Sequence, residues 1–411
     1  MQGENAIYKM LIAQAQNKQG HEQTENDTSI VRLVDFLLMR AINLGASDLH
    51  IEPYEGKIRL RHRIDGLLAI DKELLPQVLA LPLASRIKVL AGLDIAQKQR
   101  PQDGHIRYKT QNKIIDIRVA AMPVAEGEML VLRFLNTAAE LLDMSALGFS
   151  PSNKSLFEKL IHRPAGMIIV CGPMNSGKTT TLYAALAELN SDNTNIVTLE
   201  DPVERKIAGI NQIQLNPKAG LTYNSGLKAI LRQDCDRIFL GEIRDVETAE
   251  MAVRIALTGH LVLTTLHTEN AVAAVYRLLE MGIPSYMLAA TLTAVVAQRL
   301  VRRICLNCLE ECEILPQDKA LLADNVTTHK LYRGAGCDKC HGTGFLGRMA
   351  IHEVLEINDE LREAITEKVS LAEFSHLAKE GGFKTMWQDG SDKALSGKTT
   401  LSEVRRVLYG G

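Results

Sequence analysis

Residues 167–171 read Met-Ile-Ile-Val-Cys, an unbroken apolar run that passes without a spacer into GPMNSGKTTT (Gly172 to Thr181) and then into LYAALAELN. A short apolar run followed by a glycine turn and a helix fits a strand buried on both faces, so the chain is constrained to hold a parallel sheet covered by helices. The spacing G-x-x-x-x-G-K-T between strand and helix is that of a P-loop. Gly172 and Gly177 let the backbone curl until successive N–H groups and the helix N-terminus face a polyphosphate. The candidate contacts are Gly172, Pro173, Met174, Asn175, Ser176, Gly177, Lys178, Thr179 and Thr180. Lys178 is expected to reach the β- and γ-phosphates and the Thr179 hydroxyl to hold Mg2+. A chance glycine-rich turn would lack these flanks.

Three further apolar runs, Asn195 to Leu199, Arg237 to Leu240 and His260 to Thr265, alternate with helical segments and extend the same sheet. Ligands of parallel sheets bind at the C-terminal ends of the strands. Glu242 follows Arg237-Ile238-Phe239-Leu240-Gly241 and is the candidate Walker B carboxylate. Ile196 to Leu199 ends in Glu200-Asp201-Pro202-Val203-Glu204, one of whose carboxylates is expected to orient or deprotonate an attacking water. Taken singly, an acidic strand end serves equally well as a helix N-cap. Behind a P-loop, in this order, the two favour catalysis. His267 stands at the presumed site edge, either as a γ-phosphate sensor or as a bonded structural histidine.

Four of the seven cysteines form two C-x-x-C pairs, Cys305/Cys308 and Cys337/Cys340, with 28 residues between the pairs. Four thiolates suit a tetrahedral Zn2+ with no open position, hence a structural centre. Cys312 and His341 are spare ligands nearby; a redox role is the rival reading, although no thioredoxin-like βαβ setting surrounds the pairs. Cys171 and Cys235 read as small packed residues.

Upstream of the P-loop the pattern differs. Residues 1–28 read as a polar tail, with Gln14 to Thr28 as a flexible linker. From 29 to 142 an amphipathic helix (Ile30 to Gly45) precedes alternating strands, with Asp65-Gly66 as a hairpin turn and a second turn at Pro101 to Gly104. This predicts a smaller α+β domain, whose arginine-rich strands are either a solvated face or a surface offered to phosphate or a neighbouring subunit. Residues 143–411 form the α/β domain with the parallel sheet, including a zinc-binding subdomain at 300–345 and a helical C-terminal part. At 411 residues and a net charge of -2, the chain can bury its own cores and has no whole-chain attraction to nucleic acid or anionic membrane. No apolar run approaches the ~20 residues that span a bilayer, and no signal peptide is recognisable, which predicts a cytoplasmic protein.

Together the motifs resemble those of the ATPases of type II secretion and type IV pilus assembly, the GspE/PilB group. The carriers are GASDLHIEP (Gly45 to Pro53), LDIAQKQRPQDG (Leu93 to Gly104), the P-loop, TLEDPVE (Thr198 to Glu204), LGEIRD (Leu240 to Asp245), TGHLVLTTLHT (Thr258 to Thr268), AQRLVRRICLNC (Ala297 to Cys308) and GCDKCHGTGFLGRMAIHEVL (Gly336 to Leu355). The resemblance implies a RecA-like motor domain behind a mobile N-terminal domain, assembled as a homohexamer that uses ATP with Mg2+. It also implies Glu200 as catalytic glutamate, Glu242 as Walker B, His267 as the histidine-box residue, and Arg63 and Arg86 reaching the phosphates. The implied partners are an inner-membrane platform protein and a cytoplasmic docking protein, giving peripheral membrane association. Retraction motors of this kind lack the tetracysteine insert, which places the chain with the assembly and secretion branch. The resemblance begins near Ile30, so the extra N-terminal docking domain of larger relatives is not expected. Asn175 stands where the family has glycine, and Cys235 where it has proline. A RecA-like DNA translocase is the alternative, its basic cluster being Arg299, Arg302 and Arg303.

Overall fold

The computed structural model describes residues 2–17, 28–111, 114–135, 143–314 and 330–410. The chain divides into two compact units, Met1–Ala138 and Ala139–Gly411. The domain boundary expected at Leu142 falls outside the described residues, as do residues 18–27 of the expected linker. The expected tail is in part a helix, α1 (Gln2–Asn17), because Tyr8, Leu11 and Ala15 fall on one stripe and are buried. Tyr8 stacks on Phe36 with ring centroids 5.3 Å apart.

In the first unit, α2 (Thr28–Asn43) buries Leu33, Val34, Leu37 and Leu38, and Gly45, at φ 65°, ends the segment. Seven strands follow: β1 (Ala46–Tyr54), β2 (Lys57–Ile64), β3 (Leu67–Ile70), β4 (Leu75–Pro76), β5 (Gln102–Lys109), β6 (Ile114–Val124) and β7 (Gly127–Leu135). They form an antiparallel sheet in the order β3-β2-β1-β7-β6-β5, with β4 beside β2 and helix α3 (Ala80–Leu90) inserted after β4. Alternation sends Ile58 and Leu60 into the core and Arg59, Arg61 and Arg63 to the opposite face. Asp65 and Gly66 both have positive φ, the conformation a two-residue hairpin turn requires. Pro101 to Gly104 is not a turn: β5 already begins at Gln102, which pairs with Ala121, and the Gln102 amide instead braces the preceding loop through Asp94 and Gln97.

The second unit is built on seven strands in the order β10-β9-β11-β12-β8-β13-β16. These are β8 (Gly166–Cys171), β9 (Ile196–Glu200), β10 (Asn211–Gln214), β11 (Arg237–Leu240), β12 (Leu261–Leu266), β13 (Leu292–Ile304) and β16 (Phe345–Glu356). All neighbours are parallel except β13 and β16. Successive residues of β8 enter opposite cores. Met167 and Ile169 pack with α6 (Tyr223–Ile230), α7 (Val246–Leu257), α8 (Ala271–Glu280) and α9 (Ser285–Thr291), while Ile168 and Val170 pack with α4 (Pro151–Ile161) and α5 (Lys178–Leu189). This two-sided burial is why the strand reads as one apolar run. Two short strands, β14 (Leu309–Glu313) and β15 (Lys330–Gly334), pair between β13 and β16, and the helices Asp359–Glu367, Leu371–Glu380, Met386–Leu395 and Leu401–Tyr409 complete the unit. No helix among the described residues is long and apolar enough to cross a membrane.

Candidate functional site

The sheet order brings four strand tips side by side. β9 ends in Glu200, β11 is followed by Glu242, β12 by His267 and β8 by Gly172, and these strands are consecutive neighbours. The loop after β8 curls as the glycine spacing requires: φ is 149° at Gly172 and 89° at Gly177. Asn175 takes φ 61°, so the asparagine adopts the left-handed conformation that glycine would otherwise supply. Pro173, Met174 and Asn175 are exposed, Ser176 is buried, and Thr179 and Thr180 open the first turn of α5. Lys178 is 8% exposed, and its Nζ donates to the carbonyls of Gly172 (3.0 Å) and Pro173 (2.9 Å). Burial holds its ammonium below the usual lysine range. The loop thus pairs exposed backbone at its tip with one cation folded back on it, an arrangement suited to an anion carrying several oxygens.

Glu242 and His267 are brought together: His267 Nε2 lies 3.4 Å from one carboxylate oxygen of Glu242. The other oxygen accepts from Arg244 Nε at 2.6 Å, and Arg244 also faces Asp201 at 3.7 Å. Neither glutamate caps a helix here; Asp245 caps α7 by accepting from the Thr248 amide. Glu200 sits deeper, 2% exposed, and accepts from Tyr183, from Thr198 Oγ1 at 2.5 Å and from Gln212 Nε2 at 3.1 Å. Burial, then the neighbouring Glu200, push the Tyr183 phenol well above its ordinary value, so it donates and does not ionise.

Arg63 and Arg86 belong to the first unit. Arg63 Nη1 donates to the Gly66 carbonyl at 3.0 Å and its Nε lies 3.7 Å from Asp48. Arg86, on α3, has a buried Nε without a hydrogen-bond partner among the described residues. Of the basic cluster, Arg302 is held by Glu403 and Arg299 donates to the carbonyls of Gln298 and Glu269.

Cys305, Cys308, Cys337 and Cys340 converge with all four sulfurs within 4.8 Å of one another, a span four ligands of one Zn2+ can share. Backbone amides of Gly336, Cys337 and Gly344 and the Asn307 amide aim at these sulfurs at 3.1–3.3 Å. Such donors stabilise thiolate; against the effect of its burial, those from Cys337 and Gly344 draw the Cys340 thiol down. The cluster includes neither Cys312 nor His341. Cys171 and Cys235 are buried, and burial raises both thiols, Cys171 to about 12, which makes them packing groups.

The profile of the family described as Type II/IV secretion system protein matches residues 23–406. The chain belongs to that family. Type II secretion system ATPase E of Vibrio cholerae is 45% identical to it over 389 residues, 94% of this chain and 76% of that protein. The Type IV pilus assembly ATPase PilB of Acinetobacter baylyi is 42% identical over 394 residues, 94% of this chain and 67% of that protein. Among solved structures, the Legionella pneumophila ATPase DotB superposes with a TM-score of 0.67 at 21% identity, covering 90% of this chain and 94% of that one. The fold of the family member described here is accordingly RecA-like α/β.

Sequence reasoning missed the partners that hold the site. Tyr183 and Gln212 on Glu200 lie outside every motif quoted above, while Arg244 on Glu242 and Gln298 under the loop lie within LGEIRD and AQRLVRRICLNC, where the sequence alone gives them no role. A residue one turn into a P-loop helix is a position to inspect for a polar side chain, and Tyr183 occupies it.

Proposed function

We propose that this P-loop ATPase of the type II/IV secretion family works in the cytoplasm as a ring of six copies, hydrolysing ATP to drive assembly of a type IV pilus or extension of a type II secretion pseudopilus. The observation that carries the reading is the lysine-bearing loop beside the Glu242–His267 pair on neighbouring strand tips. On ATP binding, Lys178 would exchange the carbonyls of Gly172 and Pro173 for phosphate oxygens, with Thr179 and Glu242 holding Mg2+, which neutralises charge on the phosphates. Glu200 would position the water, giving up one of its present donors to do so. His267, through Glu242, would register the γ-phosphate, and Arg63 and Arg86 of the first unit would reach the phosphates as the two units close. Closure and release around the ring would push on a membrane platform protein, with the ring held peripherally at the inner membrane by that protein and a docking partner. The four thiolates would hold a structural Zn2+.

Lys178→Ala and Glu242→Gln should each lower ATP hydrolysis by about 100-fold or more, the scale seen when a charge-stabilising group is removed from a reacting centre. Wild-type turnover in either variant would overturn the site. The DNA-translocase reading loses ground because Arg302 and Arg299 are already engaged.

A further inference from the structure

Gln298 is 1% exposed and lies on β13, the neighbour of the P-loop strand. Ala297 pairs with Cys171, so the next residue on each strand, Gln298 and Gly172, meet where the loop begins. The closeness is severe: a Cβ added at Gly172 would lie 2.5 Å from the Gln298 carbonyl oxygen. The side chain then crosses beneath the loop. Its Nε2 donates to the Ser176 carbonyl at 2.7 Å, and its Oε1 accepts from Thr181 Oγ1 at 2.8 Å. One amide therefore ties the far limb of the loop to the first turn of α5.

The consequence follows from peptide geometry. Among the described residues Asp201-Pro202 is the single cis bond, so the Ser176–Gly177 peptide is trans and its C=O and N–H point in opposite directions. Holding the Ser176 carbonyl down toward β13 turns the Gly177 N–H up, toward the mouth of the loop. Gly177, at φ 89°, is permissive enough for this peptide to rotate if released. Only a side chain with both a donor and an acceptor can satisfy Ser176 and Thr181 together: ionised glutamate lacks the donor, arginine the acceptor, and methionine has no donor and only a weakly accepting sulfur.

We propose that Gln298 is the positioning residue of the P-loop: it fixes the Ser176–Gly177 peptide with its N–H facing the phosphates, and so sets nucleotide affinity without touching the nucleotide. This rests on the reading of Gly172 to Thr180 as the phosphate site. Removing the clamp should weaken ADP and ATP by the same factor, because the peptide serves a phosphate that both carry, and should leave the chemical step almost intact.

The test is titration of the full-length protein with fluorescent ADP, together with steady-state ATP hydrolysis. Gln298→Met, close in shape but without the amide, should weaken ADP and raise KM for ATP about ten-fold, the scale of one or two hydrogen bonds, with kcat within about two-fold. Gln298→Glu should be worse than Gln298→Met, since its oxygens face the Ser176 carbonyl and favour the rotated peptide. Thr181→Val should move affinity the same way by less, and should add nothing to Gln298→Met. ADP affinity within about two-fold of wild type in a folded Gln298→Met, or a fall in kcat at unchanged KM, would overturn the proposal. If Gln298→Met does not fold, Thr181→Val decides: unchanged affinity there overturns it. Lys178→Ala in the same titration separates the two readings. Normal ADP binding by Lys178→Ala defeats the phosphate site itself, whereas binding lost there and kept in Gln298→Met defeats only the role of Gln298.

Discussion

Glu403, on the last helix, accepts from the Arg302 backbone N–H and guanidinium and from Arg406. Burial works against its charge, but Arg406 and Arg302 outweigh it and hold the pKa at about 2. A carboxyl depressed in this way favours the fold fully above its ordinary value near 4.5, and that contribution fades as pH falls from there toward 2. Denaturant unfolding should therefore show Glu403→Gln less stable than wild type at about pH 7, with the gap narrowing at about pH 3. A gap of equal size at both would refute the assignment. Residues of this kind were beyond sequence reasoning for the same reason as Gln298 and Tyr183. The roles of Glu403 and Gln298 come from partners that lie far off along the chain, 101 residues away for Arg302 and 117 for Thr181, while Tyr183 on α5 meets Glu200 at the end of β9, 17 residues on. Asn175 was legible because its constraint is local, a positive φ inside the loop.

At the scale of elements, legibility followed burial. β8, β9, β11 and β12 were read to within a residue or two at either end, since strands covered on both faces are apolar throughout. β13 and β16, the longest strands of the sheet, were not read as strands, because their outer ends leave the core and carry Arg299, Arg302, Arg303 and Arg348. Helix α1 escaped notice because Gln and Asn dilute its apolar stripe. The cysteine pairs were legible by spacing, and their convergence sets up a local test. Chelation, or Cys337→Ser, should release zinc in stoichiometric amount and abolish hydrogen-exchange protection of the Cys305–Cys308 and Cys337–Cys340 turns while β8 and β12 stay protected. Unchanged exchange in the turns after chelation would show that the thiols need no ion.

For the whole molecule, the proposed ring predicts a six-copy particle by light scattering with ADP present, and ATP hydrolysis that double-stranded DNA leaves unchanged. A monomer under those conditions would remove the basis for motion passed between subunits, and strong DNA stimulation would restore the translocase. β13 bears on how such a machine is wired. It parts from β8 beyond Cys171 while still paired with β16, supports the nucleotide loop at Gln298, is riveted to the last helix at Arg302, and delivers Cys305 to the thiol cluster, while β16 returns from Cys340 along the same path. From Gln298 to Cys305 is seven residues, roughly 23 Å of extended chain. The thiol knot is thereby the far handle of a strand that also props the P-loop, with one register shift, between Arg302 and Ile304, along the way.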